Sequence, residues 1–143
     1  MERIVVGIDG SQNSRAALDF AVAEARLRSA KVEAVMAWHR PYTGDAWTMA
    51  VPVDIQGMED SYRQELDTIV GEADATGLDQ PVEQLVIESS PAQALLDRSE
   101  GADLLVVGSR GHGGFVGLLL GSVGNQVTSH ATCPVVIVPG DPE

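Results

Sequence analysis

At 143 residues, of which 44% are hydrophobic, the chain suffices for one packed domain and is too apolar for disorder. Its 21 acidic residues outweigh 9 basic ones, and the formal charge of −12 repels nucleic acid and anionic lipid, which argues against both as partners. No apolar run is long enough to cross a bilayer, the lone Cys133 suits a reducing compartment, and Met1-Glu2-Arg3 leads straight into a strand-like run, so a cytoplasmic, non-membrane protein is expected.

From the N-terminus, Arg3-Ile4-Val5-Val6-Gly7-Ile8-Asp9 is apolar almost throughout, the pattern of a strand covered on both faces. Gly10-Ser11 breaks it, with Ser11 as cap for the next helix. In that helix Ala16, Phe20, Ala23 and Leu27 recur at helical spacing and are the predicted buried face. Lys31 to Trp38 reads as a second strand. From Arg40 to about Ile55 the pattern lapses around Pro41, Gly44 and Pro52, while Tyr42, Trp47, Met49 and Val51 fit either a contact surface or a loop folded over its own core. A second helix follows with Tyr62, Leu66, Ile69, Val70 and Ala73 on one face. Val82 to Glu88 reads as a third strand, and Ser90-Pro91-Ala92-Gln93 as a helix start with a serine cap and proline at the first position.

The next stretch carries the chemistry. The apolar run Leu104-Leu105-Val106-Val107 ends in Gly108-Ser109-Arg110-Gly111-His112-Gly113-Gly114, and Gly121-Ser122 opens a helical segment to His130. A buried strand, a glycine-rich loop and a helix start form a phosphate cradle: glycine lets backbone approach the ligand, and the first helical turn adds unsatisfied N–H donors. It is not a Walker loop, because the chain's single lysine is Lys31, at the start of a strand. Pro134 to Val138 is a fifth strand, followed by a polar tail.

Five strands alternating with four helices imply a single domain over residues 1–143: a doubly wound parallel sheet with helices on both faces. The first strand ends in Asp9-Gly10-Ser11 and the fourth in the glycine loop. If those ends are neighbours, the strand order is 3-2-1-4-5, the flavodoxin-type winding, with a ligand crevice between them.

The spacing Gly108, two residues, Gly111, nine residues, Gly121-Ser122 resembles the ATP-binding motif of the universal stress protein family. The likeness extends over nearly the whole chain, through Arg3 to Ser11, Ala102 to Gly108, Gly121-Ser122-Val123 and Cys133 to Val138. It implies the adenine nucleotide alpha hydrolase-like form of the fold and an ATP site, with ADP or AMP as alternative occupants and Mg²⁺ carried by the nucleotide. In that site Asp9 faces the ribose or adenine side and Ala37 lies against the adenine ring. Gly108 and Gly111 offer backbone N–H groups to the phosphates, and Gly121, Ser122 and Val123 hold them from the helix start. His112 and Arg110 lie in the same loop, within reach of phosphate. Gly124 departs from the hydroxyl residue of many relatives and removes a phosphate contact.

Two functions fit: a nucleotide-dependent regulatory or stress-response protein, and a slow nucleotide-hydrolysing or phosphate-transferring enzyme of the same superfamily. The residues favour the first, because the cradle comes without a loop lysine, a second carboxylate cluster or a nucleophile–base pair. No catalytic or metal-ligating set is expected. Because the fifth strand, Val135-Val136-Ile137-Val138, would be a bare apolar edge, and because the resemblance points the same way, a homodimer through it is expected.

Overall fold

The computed structural model describes residues 1–40, 54–110 and 120–140. In chain order it contains β1 (Arg3–Gly7), α1 (Gln12–Arg28), β2 (Lys31–Trp38), α2 (Ile55–Glu72), β3 (Glu83–Glu88), α3 (Pro91–Ser99), β4 (Leu104–Gly108), α4 (Ser122–His130) and β5 (Val135–Val138). The strands form one parallel sheet in the order β3-β2-β1-β4-β5, as the alternation of elements predicts. Most of the Arg40–Ile55 stretch, and Gly111 and His112 of the glycine loop, lie outside the described residues.

Each face of the sheet carries its own core. One is built from Ile4, Val6, Val32, Ala34 and Met36 under α1 and α2, with Leu18, Val22, Leu66 and Ile69 supplied by the helices. The other joins Val5, Val35, Leu105 and Val107 to Ala94 and Leu95 of α3 and Val127 of α4. Alternate residues of β1, β2 and β4 serve opposite faces, so these strands read as continuous apolar runs.

The buried face of α1 differs from the expected one. Ser14, Ala17, Leu18, Ala21, Val22 and Ala25 are buried, whereas Leu27 is 82% exposed. The true stripe lies on nearly the opposite side of the helix, about 160° from that of Ala16, Phe20, Ala23 and Leu27. With alanines on both sides, apolar spacing alone does not distinguish the two stripes. The sheet does, because a helix laid flat on strands needs small residues beneath it. The first strand also stops at Gly7, two residues short of Asp9, which therefore belongs to the turn.

At the end of the sheet away from the strands' carboxyl termini, Glu33 of β2 is 0% exposed. Arg98 of α3 reaches it at 2.6 Å, Arg3 at 3.4 Å and Lys31 at 3.6 Å. A buried carboxylate persists only when paired in this way. The cluster ties the C-terminal end of α3 to β1 and β2, and the N-terminal end of the same helix stands at the opposite rim.

Candidate functional site

A crevice of about 580 Å³ opens at the carboxyl ends of β1, β2 and β4, where the strand order reverses. Asp9, Ala37, Gly108, Gly121, Ser122 and Val123 all line it. The structure thus brings together every expected site residue within the described part of the chain. Arg110 lines it too.

Two of the helix starts that meet the crevice, those of α3 and α4, differ in chemistry. At α3, Ser90 Oγ accepts the N–H of Gln93 at 3.3 Å, the Ser90 carbonyl takes that of Ala94 at 2.9 Å, and Pro91 has no N–H to offer. Among the described residues only Ala92 keeps an uncommitted first-turn donor, so this helix contributes mainly an apolar wall through Pro91, Ala92 and Leu95. At α4 the cap is Gly121, which has no side chain to bond the first turn. The first helical bond runs from Asn125 N to Gly121 O at 3.0 Å, which leaves the N–H groups of Ser122, Val123 and Gly124 without an intrahelical partner. Three donors at the positive end of a helix dipole make this the anion-attracting side of the crevice.

The Gly121 N–H is already engaged: it donates to the Ser109 carbonyl at 2.7 Å and pins the start of α4 to the end of β4. Ser109 N in turn donates to the Val138 carbonyl at 2.9 Å. Gly108 has a packing reason to be glycine, because a Cβ there would lie 2.8 Å from the backbone of Asn13 in the first turn of α1. Gly7 is similar, since its missing Cβ leaves room for Leu95, whose Cδ1 would otherwise stand 2.8 Å away. A Cβ on Gly124 would point at Leu120 and Ile137, 3.7 Å and 4.0 Å distant, and Gly124 is buried.

The β1–α1 turn presents Asp9. Gly10 takes φ +86°, a left-handed conformation that glycine adopts without cost. Asp9 Oδ1 accepts the Ser11 N–H at 2.9 Å, and Ser11 Oγ caps α1 by accepting Ser14 N–H at 3.2 Å. The opposite wall, from Val35, Ala37 and Leu95, is apolar. Sequence reading missed Val35, Leu95, Ser14 and the Ser90–Ala92 corner. Period-two alternation on β2 links Val35 to Ala37, whereas the α3 corner carried no sign of its place in the fold.

These features define a doubly wound α/β protein with a crevice at the topological switch point, the place where ligands bind in such folds. The family model described as Universal stress protein family matches residues 1–139. The chain belongs to that family. Universal stress protein Rv2005c of Mycobacterium tuberculosis is 36% identical over 135 residues, covering 94% of this chain and 44% of that protein. The chain therefore spans less than half the length of this curated relative. Among solved structures, a universal stress protein in complex with cAMP is 29% identical with a TM-score of 0.71, covering 98% of both chains. A universal stress protein from Archaeoglobus fulgidus is 26% identical with a TM-score of 0.68, covering 96% of this chain and 98% of that one.

Proposed function

We propose that the chain binds an adenine nucleotide in the crevice between β1 and β4 and acts as a nucleotide-dependent regulatory, stress-response protein. The observation that carries the reading is the uncapped start of α4, which faces an apolar wall across one cavity. The three first-turn donors without an intrahelical partner suit a phosphate, and Val35, Ala37 and Leu95 suit a base. In this reading Asp9 meets the ribose, and Gly111 and His112, outside the described residues, are proposed as phosphate contacts. The relative solved with cAMP, at 29% identity over the whole chain, supports an adenine nucleotide as the ligand class. ATP with Mg²⁺ is the finer proposal. Asp9 is the one carboxylate among the described lining residues, so the cation would be carried by the nucleotide's own phosphates.

Calorimetric titration with ATP, AMP and cAMP is expected to show saturable one-site binding of at least one of them, and a flat trace for all three would refute the site. Phosphate release from ATP is expected to stay below ~1 per second, the low end of ordinary enzymes. Among the described lining residues the charged groups are Asp9 and Arg110, too few to position a nucleophile and stabilise phosphoryl transfer. Faster release would move the protein to the enzyme class. A second copy of the chain, paired along β5, is the partner we propose for the open edge of the sheet.

A further inference from the structure

We propose that Ser14 is a positioning residue of the crevice: its buried hydroxyl holds the backbone of Asp9 where a ribose diol meets the carboxylate, and so sets a preference for ribonucleotides. The inference rests on the nucleotide reading above.

Ser14 sits in the first turn of α1, is 4% exposed and lines the crevice. Its Oγ donates to the Ser11 carbonyl at 2.9 Å and accepts the Asp9 N–H at 3.3 Å. A hydroxyl has one proton to give and lone pairs to receive, so both bonds are made at once. With Asp9 Oδ1 on the Ser11 N–H, the turn closes into a ring of hydrogen bonds across Gly10, whose φ of +86° is the most freely varied torsion in it.

Capping does not explain the hydroxyl, because Ser11 already caps the helix. Nor does helix propensity, since alanine is the better helix former. What the hydroxyl adds is a fixed direction for Asp9 at the exit of β1. A carboxylate receives two vicinal O–H donors well only from a narrow range of directions. Releasing the Asp9 N–H lets the turn rotate about Gly10 and spoils that match, while the α4 start and the apolar wall are left as they were.

The test is calorimetry with AMP and with 2′,3′-dideoxyadenosine monophosphate, on wild type, Ser14→Ala, Asp9→Asn and the double variant, with Tm checked for each. Wild type is expected to prefer AMP. Ser14→Ala is expected to weaken AMP binding about three- to tenfold, the scale of one hydrogen bond, and to leave the dideoxy affinity within about twofold. Added to Asp9→Asn it should cost nothing further, since the two act as one unit. Equal loss for both nucleotides would show that Ser14 only supports the pocket, and unchanged AMP binding would show that Asp9 is held without it; either overturns the inference. If wild type binds neither nucleotide, the nucleotide reading falls and takes this inference with it.

Discussion

Lysine at Val136 or Ile137 is expected to convert a dimer into a monomer. β5 is an edge of the sheet, as the strand order shows. The Pro134 carbonyl accepts from Leu105 N and the Val138 carbonyl from Ser109 N, each at 2.9 Å, so residues 134, 136 and 138 turn their backbone groups toward β4. By strand alternation Val135 and Ile137 turn theirs outward, away from β4. All four side chains of β5 are half-buried, Val136 and Val138 against one core and Val135 and Ile137 against the other. The segment carries no charge, whereas β3 at the opposite edge begins and ends in glutamate. Charged side chains are the common guard of an edge, and β5 does without them.

A second β5 antiparallel across a two-fold axis would satisfy the outward groups and give a self-complementary seam. Opposing it is the charge of −12 on each chain, which salt screens beyond ~10 Å at 0.1 M. Light scattering on a sizing column at micromolar concentration should return twice the chain mass for wild type and one chain for either variant. Because both side chains also touch a core, the variants' Tm must be followed beside their mass. A wild-type monomer would refute the pairing, as would a dimer that survives both lysines while folded.

Gly108→Val is expected to cost about 3 kcal/mol of stability, on the order of 10 °C in Tm, with or without nucleotide. β4 ends beneath the first turn of α1, and a Cβ at this position would stand 2.8 Å from both the carbonyl carbon and oxygen of Asn13. Those atoms are backbone and cannot swing aside as a side chain would, so helix and strand must separate. The separation would move the β1–α1 turn away from the end of β4, and weaker nucleotide binding should follow the loss of stability. Gly7→Ala is the milder comparison, because the atom in the way is the flexible end of Leu95. Thermal unfolding of the ligand-free protein checks this. An unchanged Tm for Gly108→Val would show that the close approach of β4 to α1 is not needed.

The element order, the winding and the crevice between β1 and β4 were legible in the residues themselves. Strands covered on both faces are apolar along most of their length, so β1, β2 and β4 stand out from helices with a polar side despite Arg3, Lys31 and Glu33. The spacing of Gly108, Gly121 and Ser122 on a strand–loop–helix likewise pointed to the rim that the fold builds. Legibility failed where one residue has two physical uses. Gly108 reads as a phosphate glycine in the sequence, and only the packing of α1 onto β4 shows the contact that forbids a side chain there. Ser90-Pro91 reads as a helix start, and only the crossover from β3 to β4 carries that start over β1 and β2 to wall the crevice. Glu33 is held in the interior by Arg3 and Arg98, residues distant from it in the chain, which no local pattern brings together. Local pattern records how each segment meets water or core. Which segments meet each other is decided by long-range packing, and the α1 stripe, the α3 wall and the Glu33 cluster all depend on it.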